Sequence, residues 1–342
     1  MTVTEPALLE LSDVHKHYGS VRALDGVSLS VAPGETLGMV GESGSGKSTV
    51  GRIALGLERP TKGELRFGGR PYPRSARGLR PVRRRIGIVF QDPYDSLDAR
   101  FTLRRLVDEP LRAHRLPRGD RRVSELLTSV GMENVALDSY PGQYSGGQRQ
   151  RIGIARALAL EPELIVCDEP TSALDVSVQA QILNLLLELQ RERGLAYLFI
   201  SHDLEVVRRM SDRLAVIYAG KIVESGPTAL VTSAPSHPYT RALMDAVPAT
   251  TPSERHATDA DAPDADPGSA ATADAAAAAL RHGCPFAPRC PRRADICTAE
   301  MPALAPRGER AVACHFPLVD EQRTPVAAGG RTRTTGRPRT TS

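Results

Sequence analysis

Nine residues, Gly41-Glu42-Ser43-Gly44-Ser45-Gly46-Lys47-Ser48-Thr49, bring together three glycines, one lysine and four hydroxyl groups in the spacing G-x-x-x-x-G-K-S. Glycines let successive backbone N–H groups converge on an anion, and a helix N-terminus adds about half a positive charge. Lys47 suits the β- and γ-phosphates of a nucleotide, and the Ser48 hydroxyl suits Mg²⁺. The apolar run Leu37–Val40 reads as a strand before the glycines, and Ser48–Leu57 reads as a helix after them. That is the context a phosphate cradle requires. A plain Gly/Ser turn would not need both elements.

Leu164-Ile165-Val166-Cys167 is a second buried strand, and it ends in Asp168-Glu169. Neighbours on a strand point to opposite sides, so the two carboxylates are expected to do different work. Asp168 suits the Mg²⁺ shell, and Glu169 a water in line with the γ-phosphate. Ser145-Gly146-Gly147-Gln148 opens another helix, a second glycine-rich N-terminus able to hold phosphate.

The elements that position these groups alternate. Ile86–Phe90 and Tyr197–Ile200 read as further short buried strands, and Gln148–Leu160 and Val178–Arg193 as helices. Alternation of this kind predicts an α/β fold with a mostly parallel sheet covered by helices. Residues 92–160 lack β-branched alternation and read as a helical insertion. No apolar run reaches the eighteen or so residues of a membrane-spanning helix, and Met1–Leu11 lacks the basic-then-apolar pattern of a secretory signal. The formal net charge of +4 resides in residues 321–342, where five arginines face one acid, so residues 1–320 sum to zero. Such a balance, with 4% aromatics and no Trp, argues against a nucleic-acid groove.

Beyond residue 230 the composition changes. Residues 251–280 hold twelve alanines and six acids and read as a flexible Ala/Asp linker, with Ala275–Leu280 a candidate helix. Residues 321–342 read as a disordered basic tail. Between them lie Cys284, Cys290, Cys297 and Cys314. A cytosolic protein is a poor setting for a disulfide framework. Zinc sites usually include a Cys pair two to four residues apart, and none is present. The wider loops and the Cys-Pro steps at Cys284 and Cys290 fit an iron–sulfur cluster better. Zinc, with His282 or His315, and unligated thiols are the alternatives. Since 281–318 is too short to build a core alone, ligation is expected to supply folding free energy.

Taken in order, Tyr18, the cradle, Gln91, Ser145–Gln148, Asp168-Glu169, Asp175 and His202 resemble the nucleotide-binding subunit of an ATP-binding cassette (ABC) transporter over residues 7–230. The resemblance implies an antiparallel β subdomain and a helical subdomain beside the parallel core. It implies that Tyr18 stacks on adenine and that Gln91 senses Mg²⁺ and the attacking water. Glu169 is then the general base, and His202 the switch that contacts the γ-phosphate. Ser145 and Gly147 would serve the ATP of an identical or sibling subunit paired head-to-tail. Two separate membrane permeases would dock near Gln91–Arg115, placing the chain at the cytoplasmic face of the membrane.

Glu224-Ser225-Gly226-Pro227 and His237-Pro238-Tyr239-Thr240-Arg241-Ala242-Leu243 resemble the C-terminal extension of oligopeptide/dipeptide importers, whose relatives include nickel importers. In that subfamily an extracytoplasmic binding protein delivers the cargo, and similar cysteine sets are associated with a [4Fe–4S] cluster. Two departures stand out: Tyr144 where Leu commonly precedes the Ser-Gly-Gly-Gln motif, and Asp98-Ala99 in place of Asn-Pro. A soluble mechanical ATPase and a redox-sensing ATPase are the competing readings. The first usually carries two cassettes or long coiled-coil insertions, and the second needs an exposed, reversible cluster.

Overall fold

The computed structural model describes residues 6–246 and 282–318. The linker 251–280, with its candidate helix, and the tail 321–342 lie outside the described residues. The chain opens with two long antiparallel strands, β1 (Leu9–Tyr18) and β2 (Val21–Val31), followed by β3 (Thr36–Val40) and α1 (Lys47–Ala54). β4 (Lys62–Phe67) and β5 (Arg70–Pro71) then complete a four-stranded antiparallel sheet in the order β2-β1-β4-β5.

α2 (Arg80–Arg84) and β6 (Ile86–Val89) lead into the helical insertion, which contributes α3 (Leu103–His114), α4 (Asp120–Thr128) and α5 (Gly146–Leu158). The chain returns through β7 (Leu164–Asp168), α6 (Val176–Arg193), β8 (Ala196–Ile200), α7 (Leu204–Met210) and β9 (Arg213–Tyr218). β10 (Lys221–Pro227), α8 (Thr228–Ser233) and α9 (Pro238–Asp245) complete the first stretch. Residues 282–318 supply a short α10 (Asp295–Ala299) and the hairpin β11 (Ala305–Arg307) and β12 (Arg310–Val312).

The main sheet has eight strands in the order β11-β12-β10-β9-β3-β8-β7-β6. From β9 to β6 the pairing is parallel; β10, β12 and β11 are added antiparallel. Every residue of β3 and β8 is buried, because helices or the second sheet cover both faces. The strand period divides the core in two. Ile165, Cys167, Tyr197 and Phe199 face a cluster built largely with α3 to α7. Leu164, Val166, Leu198 and Ile200 face the other side, against α1 and the antiparallel sheet. Cys167 is therefore a core residue, fully covered. No helix among the described residues is long and apolar enough to cross a membrane.

The cysteine-rich segment does not stand alone. Its hairpin extends the main sheet through the pairs Glu224↔Val312 and Ser225↔Ala311. Cys284, Phe286, Ala287 and Cys297 join the larger apolar cluster of the cassette. The segment borrows a core it is too short to make.

Candidate nucleotide site

Parallel strands place their C-terminal ends along one edge, where open α/β sheets bind ligands. β3 delivers the glycine loop, β6 delivers Gln91, β7 delivers Asp168 and Glu169, and β8 delivers His202. Gly44 and Gly46 take φ values of 77° and 107°, and a Cβ on Gly46 would come within 2.6 Å of the Ala23 carbonyl. A Cβ on Gly41 would lie 2.1 Å from the Ile217 carbonyl. The loop therefore needs glycine for backbone conformation at one point and for space at another.

α1 starts at Lys47, one residue earlier than the sequence suggests. The Lys47 ammonium donates to the carbonyls of Gly41 (2.7 Å) and Glu42 (2.8 Å). Burial lowers its proton affinity, against the opposing pull of Glu169, Asp168 and Glu42. The Ser48 hydroxyl donates to Asp168 Oδ1 at 3.2 Å. Burial raises the Asp168 carboxyl, while the Ser48 hydrogen bond and the nearby Arg52 and Lys47 favour its charged form. Two hard oxygen ligands beside a lysine match what Mg²⁺ takes when bound to a nucleotide.

Asp168 and Glu169 do face different groups, but strand alternation is not the reason. β7 ends at Asp168, and Glu169 adopts φ 49°, turning the chain. That left-handed backbone is uncommon for a non-glycine residue and stores strain at the strand end. The Glu169 Oε2 then meets Gln91 Nε2 at 3.2 Å and His202 Nδ1 at 3.0 Å. The His202 side chain is 62% exposed and that of Glu169 17%, so the carboxylate is the more covered partner of the pair.

Tyr18 lies at the end of β1, 44% exposed. Its hydroxyl donates to Glu58, Thr49 flanks the phenol, and the Lys16 ammonium sits 4.8 Å from the ring centroid. This places an open aromatic face beside the start of α1.

Ser145 to Gln148 form a capping box at the head of α5. Gln148 Oε1 accepts from the Ser145 N–H (3.0 Å), and Ser145 Oγ accepts from the Gln148 N–H (3.4 Å). Asp175 caps α6 by accepting from the Val178 N–H at 2.9 Å. Gly147 is buried, and a Cβ there would lie 2.4 Å from Val178 Cγ1, so these two helix heads are packed together. Ser145 and Gln148 bond each other; none of the described side-chain hydrogen bonds ties them to the glycine loop.

Two features lay beyond sequence reasoning, and a third joins residues the sequence had already grouped. Gln150, buried within α5, donates to the carbonyls of Phe90 (3.3 Å) and Pro170 (2.7 Å), tying the Gln91 loop to the segment after Glu169. Glu42 of the glycine loop is held by Tyr239 and Arg289, from far along the chain. Finally, the four cysteines line one cavity with His237, Phe286, Pro302, His315 and Phe316. Burial pushes the Cys284 thiol up to about 11 and raises those of Cys290 and Cys314, each reinforced by neighbouring cysteines. Among the described residues the one group of three His, Cys, Asp or Glu ligand atoms mutually within 4.8 Å is His15, His17 and Asp25. No three of the four sulfurs lie mutually within that distance, and at His15, His17 and Asp25 the Lys221 ammonium already sits 2.8 Å from Asp25.

A glycine-rich phosphate loop on a parallel sheet, paired acids at the next strand and a helical insertion carrying its own glycine-rich helix head define an ATP-binding cassette. Residues 24–172 match the ABC transporter family, and residues 223–297 match the oligopeptide/dipeptide transporter C-terminal region. Oligopeptide transport ATP-binding protein AppF of Bacillus subtilis is 45% identical over 335 residues, 91% of this chain and 98% of AppF. A Brucella abortus ATP-binding protein assigned by name to peptide import is 49% identical, over 86% of this chain and 87% of its own. The solved structure of cbiO1 from Clostridium perfringens, part of an ABC transporter complex, superposes with a TM-score of 0.60 at 29% identity, covering 67% of this chain and 92% of that one. A dimeric post-hydrolysis cassette with ADP and Pi gives 0.58 at 33%, covering 64% and 98%. The chain belongs to the ABC transporter ATP-binding family, within its import ATP-binding proteins, and is an ATPase.

Proposed function

We propose that this ATPase powers uptake of di- or oligopeptides, as one of two cassettes docked on separate permeases at the cytoplasmic face of the membrane. An extracytoplasmic binding protein would deliver the cargo. The match of residues 223–297 to the oligopeptide/dipeptide region supports the cargo class. Exposed aromatics beside Gln91, namely Phe90 and Tyr94, support a docking surface there.

The observation that carries the catalytic reading is the clamp on Glu169. Its carboxylate, steadied by Gln91 and His202, takes the proton from a water aimed at the γ-phosphate. His202, largely exposed, shifts toward the γ-phosphate as the site fills. Lys47, the loop N–H groups and the head of α1 bind the phosphates, and the open face of Tyr18 receives adenine. Ser48 and Asp168, with Gln91 nearby, would hold Mg²⁺, which when bound would supply neutralising charge to the phosphates. Ser145, Gly146, Gly147 and Gln148, at an exposed helix head, and the adjacent Asp175 complete the site of a second cassette. A site split in this way stays incomplete until two chains close, so hydrolysis is coupled to motion. Glu169→Gln is expected to keep Mg-ATP affinity while turnover falls at least about 100-fold. Turnover near the wild-type rate would remove Glu169 from this role.

The four cysteines hold an iron–sulfur cluster in this reading. Tetrahedral zinc at Zn–S of about 2.3 Å needs sulfurs about 3.8 Å apart. Among the described residues no three of these sulfurs lie mutually within 4.8 Å. All four line one cavity walled by Phe286, Pro302 and Phe316, and their wide spacing along the chain supports the cluster over a single zinc. Ligation would draw the buried thiols into their thiolate form and lock the segment onto the cassette.

A further inference from the structure

Glu42 occupies the second position of the phosphate loop, and each of its polar groups has a partner. Its carbonyl accepts from the Lys47 ammonium at 2.8 Å. Its backbone N–H donates to the Tyr239 hydroxyl oxygen at 3.0 Å, and its Oε2 accepts from Arg289 Nη1 at 2.9 Å. Two of these three contacts come from beyond the cassette motifs, one from α9 and one from the turn just before Cys290.

Both reaching groups are fixed by an aromatic platform. The Tyr239 ring packs on Tyr218 with centroids 4.5 Å apart and on Phe286 at 5.4 Å. The Arg289 guanidinium lies 5.6 Å from the Phe286 centroid and 5.9 Å from that of Tyr218. All three aromatic side chains are buried. Planar guanidinium stacking of this kind reduces the freedom lost on forming the ion pair.

A carboxylate in a loop built for a triphosphate works against its own ligand unless that charge is cancelled nearby. With Arg289 and Glu42 29% and 33% exposed, water screens the pair only in part. We infer that Arg289 and Tyr239 are positioning residues for ATP: Arg289 neutralises Glu42 beside the phosphate site, and Tyr239 pins the main chain whose carbonyl holds Lys47. The inference rests on the ATP site alone and is independent of what the cysteines ligate.

The test is Mg-ATP affinity and steady-state kinetics on the full chain. Arg289→Ala is expected to raise Kd and KM about five- to tenfold, the scale of one partly screened charge interaction, with kcat changed less than about twofold. Adding Glu42→Gln to that variant is expected to restore Kd to within about twofold of wild type. A merely structural arginine would give no such rescue. Glu42→Gln alone, which touches no cysteine and leaves Arg289 in place, is expected to tighten ATP binding. Kd unchanged in Arg289→Ala, no restoration in the double variant, or weaker binding in Glu42→Gln would each overturn the inference. Lys47→Ala serves as the control: normal ATP binding there would instead overturn the site itself.

Discussion

Removal of one buried guanidinium should measure how firmly the C-terminal segment is fastened. Arg310 and Glu224 have side chains 5% and 0% exposed, and Arg310 Nη1 approaches Glu224 Oε1 at 3.5 Å and Ser236 Oγ at 2.7 Å, with the Ala234 carbonyl also accepting. Glu224 in turn accepts from the backbone N–H groups of Ser236 (2.9 Å) and His237 (2.8 Å). Arg310→Met keeps the stem and deletes the charge, leaving a carboxylate in the core. Breaking such a pair costs about 3–5 kcal/mol. At about 2–4 °C per kcal/mol for a chain of this size, the melting temperature should fall by roughly 10 °C.

Burial already raises the Glu224 carboxyl, against its hydrogen bonds and Arg310. Without Arg310 it rises further above the unfolded value. The destabilisation is then complete above the folded-state pKa and fades as pH falls toward the unfolded one, so the deficit should shrink as pH falls from neutral toward the ordinary carboxylate range. Urea unfolding followed by circular dichroism reads both effects. Adding Glu224→Gln should return at least about 1 kcal/mol, since no buried charge is then stranded. A loss under about 1 kcal/mol in Arg310→Met, or strict additivity in the double variant, would refute the reasoning.

Gln150→Leu leaves the Pro170 carbonyl without its donor and unties the Gln91 loop from Glu169; it should cost about 1–3 kcal/mol and lower kcat more than it raises KM. Equal stability and kcat would show that the tether is idle. Anaerobic purification should yield brown protein with about four irons, and Cys290→Ser should lose colour and thermal stability together. Colourless protein with a single zinc would replace the cluster by that ion.

Much of the catalytic edge was legible because its constraints are local. The Gly44 and Gly46 conformations follow from one short loop, and the way β7 and β8 side chains divide between two core clusters follows from a period of two. The different orientations of Asp168 and Glu169 were read for a reason only partly right, since their separation comes from a left-handed turn at Glu169 that no spacing reveals. The brace on Glu42 was illegible: 247 residues separate it from Arg289, and each looks like a solvated charge when read alone. Gln150 was equally silent, because a polar residue inside a helix carries no mark of the carbonyls it will meet. For residues 281–318 the sequence shows too few apolar residues for a core of their own, but it could not show the cassette surface that covers Cys284, Phe286 and Cys297.

The added hairpin has a consequence for how the molecule tolerates change. β12 joins β10 although the paired residues Glu224 and Val312 are 88 positions apart in the chain. What keeps the hairpin in place is the ladder, the Glu224–Arg310 contact and the apolar face around Phe286, all of which lie outside residues 247–281. Since doubling the chain between two paired strands adds only about 0.6 kcal/mol of closure cost for a flexible loop, these contacts, rather than the length of what precedes the hairpin, set how firmly it is held.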